Sequence, residues 1–263
     1  MTTARSTVAP ADPATERALD GLILSMADDE FVIGFSDSEW TGIAPILEED
    51  VAMSSIAQDE LGHARALYEL LAVVRADAST ADSIAYDREP AEYRHAQLLD
   101  HGRGDWAMTI ARRYLYDTAD GARLGGLAAS SFAPLRELVD KIRREERYHV
   151  MHLTTWLERL ARHEGEPRER LVAALEELGP DAATVFTPID GEASLVDAGI
   201  LGEPMAALEA RWRATITPIF VGLDLPMPPP GALDGGRSNH GEAFRWLWGE
   251  FTSVRRSDPE AVW

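Results

Sequence analysis

The chain contains no cysteine among its 263 residues, which excludes disulfides, cysteine-bound zinc, iron–sulfur clusters and thiol nucleophiles. It also lacks any run of 18 apolar residues, so we predict no membrane-spanning helix. The N-terminal segment 1–15 has no apolar stretch after its one basic residue, so we predict a short mobile tail rather than a secretory signal. These absences favour a cytoplasmic protein.

Positive charge is scarce. The sequence has 25 Lys and Arg residues against 45 Asp and Glu residues, which gives a net charge of -20. Lys141 is the only lysine. A protein that binds nucleic acid through its phosphates needs the opposite balance, so we expect no nucleic-acid partner. Most of the acidic excess is interpreted as solvated surface, and a few carboxylates are candidates for a cation site.

Four long segments carry apolar residues at spacings of three, four and seven, which is typical of amphipathic helices. They span about 13–35, 44–75, 105–129 and 134–163. A long polar connection separates the second from the third, so the helices form two hairpins. This is the topology of a ferritin-like four-helix bundle. We therefore predict an all-α chain with one domain over residues 16–263, of which 16–165 form the bundle core.

The C-terminal extension, 166–263, has a weaker pattern. We predict short helices at 167–178 and 205–216, a loop at 184–203 and a Pro-rich loop at 226–239. Residues 241–254 are rich in aromatic side chains and predict a helix. This helix is expected to dock on its own bundle, with a partner chain as the alternative.

Two Glu-x-x-His pairs lie in apolar stripes of predicted helices. The second helix carries Glu60 and His63, and the fourth carries Glu146 and His149. Residues three apart share a helix face, so each pair directs a carboxylate and an imidazole to one point. An ionised carboxylate in an apolar stripe needs a counter-charge. A third pair, Glu92…His95, lies in the polar connection and is predicted to be structural or solvated.

Single carboxylates interrupt the apolar faces of the other two helices. Glu30 precedes Glu60 by 30 residues, and Asp117 precedes Glu146 by 29. Two antiparallel helices joined by such a spacing bring the single carboxylate level with the pair. Each hairpin therefore repeats the same arrangement, a carboxylate followed by Glu-x-x-His.

Four carboxylates and two imidazoles are thus expected at one depth of the bundle. Their charge balances two divalent ions when both imidazoles are neutral. Carboxylate-rich ligation with one imidazole per ion suits iron or manganese better than zinc or copper, and the pattern is that of di-iron and di-manganese bundles. The alternative is a set of buried ion pairs with Arg112, Arg113 or Arg144. The candidate ligands are Glu30, Glu60, His63, Asp117, Glu146 and His149.

Four neighbouring residues have candidate supporting roles. Asp59 and Glu145 each precede a predicted ligand, and could accept a hydrogen bond from an imidazole on the facing helix. A solvated helix face is the alternative for both. Gly34 and Gly121 each lie four residues beyond a single carboxylate. They could leave room for dioxygen or substrate, or could permit close helix packing.

Several stretches carry a resemblance to a known family: 27–40 with 44–45, 111–114 with Asp117, 147–149 with 156–160, 235–237 with His240, and 259–263. From about residue 22 to 263, the chain resembles the bacterial phenylacetate-catabolism A/C oxygenase subunits, the ferritin-like proteins of the phenylacetyl-CoA epoxidase complex. It is most similar to the C subunits. In that family the A subunits carry the di-iron site and many C subunits have lost ligands, whereas this chain keeps the full set.

The resemblance implies a di-iron subunit of a multicomponent monooxygenase. Two iron ions, or manganese, would activate dioxygen and insert one oxygen atom into the aromatic ring of a CoA thioester. The implied partners are a paralogous ferritin-like subunit, a reductase, dioxygen and an aromatic acyl-CoA, in a homo- or hetero-oligomer. One alternative is a scaffolding C subunit with a vestigial metal site. The other is a ferritin-like oxidase, iron-storage protein or manganese catalase.

Overall fold

A computed structural model describes residues 12–231 and 237–258. Every regular element in this part of the chain is helical, so the all-α prediction is confirmed. Short 3₁₀ segments lie at Pro90–Glu92, Gln97–Leu99 and Gly179–Phe186. The α-helices are α1 (Pro13–Ser38), α2 (Leu47–Arg75), α3 (Ala81–Tyr86), α4 (Trp106–Leu127), α5 (Ala133–Ala161), α6 (Glu166–Leu178), α7 (Glu192–Asp197), α8 (Met205–Gly222) and α9 (Glu242–Ser257).

Helices α1, α2, α4 and α5 form the predicted bundle. Helix α1 packs along α2, helix α4 packs along α5, and the long connection between α2 and α4 joins the two hairpins. Helix α4 also packs against α6 and α8 of the C-terminal extension. Most residues of α1 and α4 are therefore buried, whereas α2 and α5 bury only one stripe. None of the helices in the described ranges has the length and apolar content to cross a bilayer.

The start of α1 is fixed by its cap. The Asp12 carboxylate accepts the backbone N–H of Thr15 at 3.0 Å, and Pro13 occupies the first turn, where its missing N–H costs nothing. The helix therefore begins at Pro13, inside the segment predicted as a tail. Residues 1–11 of that segment lie outside the described residues.

The C-terminal extension is more helical than its sequence pattern indicates. The predicted loop at 184–203 is wrong in part, because it contains α7 and the end of the 3₁₀ segment. Gly191 precedes α7 with φ at +80°, a conformation that glycine adopts without strain. Helix α8 also runs past residue 216 and through Pro218, because Phe220 continues its buried stripe.

Helix α9 docks on its own bundle, as predicted. Phe244, Leu247 and Phe251 are buried, and the Phe251 ring centroid lies 4.9 Å from that of Phe31 on α1. Aromatic pairs at this distance add to the stabilisation that comes from burial alone.

A buried ion-pair cluster ties the extension to the bundle. The Asp29 carboxylate on α1 is fully buried, and accepts hydrogen bonds from Arg123 at 2.6 Å and Arg237 at 2.8 Å. It also accepts the backbone N–H of Ala96 at 2.7 Å. One side chain thus joins α1, α4, the long connection and the segment before α9.

Candidate metal centre

The structure brings all six predicted ligands together at one depth of the bundle. Each of the four bundle helices contributes, and none of the six side chains belongs to a residue more than 4% exposed. Because α1 and α4 each supply one carboxylate while α2 and α5 each supply a carboxylate and an imidazole, the arrangement has the twofold repeat of the sequence. The six are Glu30, Glu60, His63, Asp117, Glu146 and His149.

Four of these residues surround one point, which we name position I. The Nδ1 atom of His63 lies 3.4 Å from Glu30 Oε2, 3.9 Å from Glu60 Oε2 and 3.6 Å from Glu146 Oε1. Donor atoms bound at about 2.0–2.2 Å to one ion lie roughly 3–4 Å from each other. Position I therefore has the dimensions of a cation site.

A second point, position II, is surrounded by Asp117, Glu146 and His149. The Nδ1 atom of His149 lies 3.1 Å from Glu146 Oε1 and 3.3 Å from Glu60 Oε1. Glu146 thus belongs to both positions, and the two oxygens of Glu60 face different imidazoles. These two carboxylates therefore lie between the two positions.

The donor atoms that point into the cluster have no hydrogen-bond partner within the described residues. Buried polar atoms almost always have a hydrogen-bond partner, and an unpartnered one is costly. Seven such atoms on six residues converge here, so the donor set fits a pair of divalent cations. Within the described ranges the unpartnered atoms are Glu30 Oε2, Glu60 Oε2, His63 Nδ1, Asp117 Oδ1, both carboxylate oxygens of Glu146, and His149 Nδ1.

Each imidazole is oriented from the opposite helix. His63 Nε2 donates to Glu145 Oε2 at 2.8 Å, and His149 Nε2 donates to Asp59 Oδ2 at 3.2 Å. The donation through Nε2 leaves each Nδ1 facing the interior of the cluster. A carboxylate behind a histidine ligand fixes its tautomer and raises its basicity. Asp59 and Glu145 lie where such support would act, and their role toward a metal stays a proposal.

One arginine of the described residues enters the cluster. Arg113 is fully buried, and its Nη2 donates to Glu60 Oε1 at 2.6 Å and to Asp117 Oδ2 at 3.0 Å. Arg112 instead contacts Ser36 and backbone carbonyls, and Arg144 is exposed. Sequence reasoning named Arg113 only as part of the ion-pair alternative. Arg113 pairs with two of the four carboxylates, Glu60 and Asp117, and forms no ion pair with Glu30 or Glu146 within the described residues.

Protons balance further charge when no metal is bound. Burial lowers the pKa of His63, but the nearby carboxylates of Glu30 and Glu60 outweigh it and raise that pKa to about 12. In the same way Glu146 and Glu60 raise the pKa of His149 to about 11. A metal ion must displace these protons from Nδ1, so metal binding strengthens as the pH rises.

The two glycines have different surroundings. A Cβ at Gly34 would lie 3.0 Å from Glu60 Cβ and 3.0 Å from the side chain of Leu61, so the packing alternative holds there and no room is left. A Cβ at Gly121 would meet nothing within 4 Å. Gly121 borders a cavity of about 470 Å³ between α4 and α5 that reaches Glu146.

The two glycines therefore predict opposite effects of alanine. Gly121→Ala should stabilise the protein by about 0.5–1 kcal/mol, because alanine favours a helix interior. Gly34→Ala should destabilise it by about 1–3 kcal/mol, because the new methyl group displaces Glu60 or Leu61. Chemical denaturation of both variants measures the difference, and effects of equal sign would contradict the packing described here.

The two residues of the third Glu-x-x-His pair make separate structural contacts. Glu92 caps a 3₁₀ turn by accepting the N–H of Glu89, while buried His95 donates to Asp100 at 2.7 Å. His240 completes a trio with His95 and Asp100. Its ring stacks on that of His95, with the ring centroids 3.9 Å apart and an angle of 13° between the ring planes. His95 Nε2 and His240 Nδ1 both contact Asp100 Oδ1, at 2.7 and 3.1 Å, and His240 Nε2 contacts the carbonyl of Tyr93 at 3.0 Å. This trio anchors the start of α9.

Comparisons with known proteins identify the family. A family model described as phenylacetic acid catabolic protein matches residues 1–263. The chain is also 28% identical over 250 residues to the C subunit of 1,2-phenylacetyl-CoA epoxidase from Escherichia coli (strain K12), a match that covers 93% of this chain and 99% of that protein. The chain therefore belongs to the phenylacetic acid catabolic protein family.

Proposed function

We propose that this chain is a di-iron subunit of a multicomponent oxygenase that acts on an aromatic acyl-CoA in phenylacetate catabolism. The observation that carries the proposal is the convergence of seven unpartnered buried donor atoms on two adjacent positions. Family membership and the name of the relative support the pathway and the oxygenase chemistry. A paralogous subunit and a reductase are the proposed partners.

The residues of the chain would hold the metal ions in unequal sets. Glu30, Glu60, His63 and Glu146 face position I, while Asp117, Glu146 and His149 face position II. Bound iron would supply the activation of dioxygen for transfer of one oxygen atom to an aromatic ring. The oxygen-rich donor set, with one imidazole per position, favours iron or manganese. Burial of every donor excludes bulk water from the reacting centre.

The cavity beside Gly121 is the proposed approach for the substrate. Its walls include Leu124 and Val150, and it reaches the stem of Glu146. Its rim carries three arginines, which form no ion pair within the described residues: Arg143, Arg144 and Arg147. Apolar walls suit an aromatic acyl group, and unpaired guanidinium groups suit the phosphates of a CoA carrier.

A scaffolding subunit with a vestigial metal site is the second candidate. Arg113 inside the cluster favours it, because this cation already satisfies part of the carboxylate charge without metal. Ile43, Leu47 and Val51 are also exposed near the start of α2, and exposed apolar side chains grouped in this way are typical of an interface with another chain.

The two candidates differ in what a ligand variant does to the assembled complex. With this chain, its paralogue and the reductase, Glu146→Gln should reduce turnover of an aromatic acyl-CoA more than about 100-fold, since even partners of metal ligands cost about 10–100-fold. The exposed Glu69→Gln on α2 is the matched control and should keep full turnover. Full turnover in a complex assembled with Glu146→Gln would contradict the proposal and support the scaffold.

A further inference from the structure

We infer that Arg113 makes the two metal positions unequal, so that the first ion binds at position I and Arg113 weakens the binding of a second ion at position II. The inference rests on the metal centre of the proposed function. It assigns this arginine a tuning role in the site, in place of the counter-ion role considered from the sequence.

No arginine or lysine side chain of the described residues contacts position I. The atoms that face it are Glu30 Oε2, Glu60 Oε2, His63 Nδ1 and Glu146 Oε1, and none of them accepts a hydrogen bond within the described residues. An ion that enters here takes the place of the His63 Nδ1 proton and its contact with Glu30, just as an ion at position II takes the place of the His149 Nδ1 proton, but it displaces no guanidinium. It also relieves four unpartnered buried atoms at once.

Position II is already in contact with a cation. Glu60 Oε1, 3.3 Å from His149 Nδ1, accepts a hydrogen bond from Arg113 Nη2 at 2.6 Å. The same Nη2 donates to Asp117 Oδ2 at 3.0 Å, which leaves only Oδ1 of that carboxylate without a partner. An ion at position II must therefore share carboxylate oxygens with a guanidinium and bear its repulsion in a buried environment.

The guanidinium is held where it is. Arg113 is fully buried, and its Nε lies 3.4 Å from Asp37 Oδ2. Arg112 Nη2 contacts the same Asp37 carboxylate at 3.4 Å. An arginine side chain does not lose its proton in a protein, and this one is paired with Asp37, Glu60 and Asp117. Its charge at position II is therefore permanent.

Charge counting gives the order of binding. Asp37 and Arg112 offset each other, so the four ligand carboxylates and Arg113 sum to three negative charges when the imidazoles are neutral. The first divalent ion leaves a net charge of one negative. The second ion is attracted by that single charge only, so it binds more weakly. Without the guanidinium, the second ion would meet two negative charges and no neighbouring cation.

Anaerobic titration of the metal-free protein with Co²⁺ tests this inference, with binding followed by calorimetry and by Co²⁺ absorption. We expect two steps whose Kd values differ at least tenfold. Arg113→Gln should tighten the second step at least tenfold and the first step by a smaller factor, so the gap between the two Kd values should narrow. Arg112→Gln removes the adjacent buried arginine, which contacts no ligand, and should leave the gap between the steps as it is.

Two ligand variants keep the test decisive if Arg113→Gln does not fold. Glu30→Gln should weaken the first step, and Asp117→Asn should weaken the second. Binding of two ions in a single step by the unaltered protein would overturn the role of Arg113 and leave the metal centre standing. Absence of any Co²⁺ binding by the unaltered protein would overturn both.

Discussion

Replacing Asp29 with alanine is expected to lower the free energy of unfolding by about 3–5 kcal/mol, the cost of removing one partner from a buried ion pair. Burial raises the pKa of Asp29, but the charges of Arg237 and Arg123 outweigh it and keep that pKa below its ordinary value. The carboxylate is therefore ionised. Its removal leaves Arg237 without a carboxylate and Arg123 with only Asp120. Urea denaturation of the metal-free protein measures the loss.

Asp20→Ala is the matched control. Asp20 also lies on α1 and pairs with Arg75 at 2.6 Å, but the two side chains are 29% and 26% exposed. Partly exposed pairs contribute about 0–1 kcal/mol. A loss at Asp29 no larger than the loss at Asp20 would contradict the view that this cluster fastens the C-terminal extension to the bundle.

Glu146→Gln is expected to abolish stoichiometric metal binding at both positions while it preserves the fold. Its Oε1 lies 3.6 Å from His63 Nδ1 and 3.1 Å from His149 Nδ1, so one substitution removes a ligand shared by both. Burial and the charge of Glu60 raise the pKa of Glu146, which shows that its ionised form is disfavoured without metal. A neutral side chain of the same shape should therefore keep or increase the stability of the metal-free protein.

Elemental analysis and thermal unfolding of this variant check the two halves of the prediction. Glu60→Gln is the informative comparison, because Glu60 accepts a hydrogen bond from Arg113 at 2.6 Å and holds that buried charge. It should lose metal and also lose stability. Stoichiometric metal in folded Glu146→Gln would show that Glu146 is not a shared ligand.

The bundle and the six clustered residues could be predicted from the sequence because both follow from periodicity. Helix α2 was expected at 44–75 and lies at Leu47–Arg75, and α5 was expected at 134–163 and lies at Ala133–Ala161. A carboxylate within an apolar stripe is unusual in itself. Glu30 and Asp117 precede the two Glu-x-x-His pairs by nearly the same spacing, and this match indicates which carboxylates lie together.

Other features depend on tertiary structure and left no periodic signal. Asp28, Asp29 and Glu30 are adjacent, so they point about 100° apart around α1. Sequence pattern assigned a buried face to Glu30 alone, whereas the extension and the long connection enclose α1 on the other sides as well. The reach of Arg113 and the space at Gly121 likewise depend on how neighbouring helices pack.

The iron content of the protein after anaerobic loading with Fe²⁺ and removal of unbound metal is the most direct test of the metal centre. Two ions per chain are expected, held by the six residues that the bundle brings together. A folded chain that retains no iron under these conditions would contradict the metal centre. The buried carboxylates would then serve as ion-pair partners of Arg113.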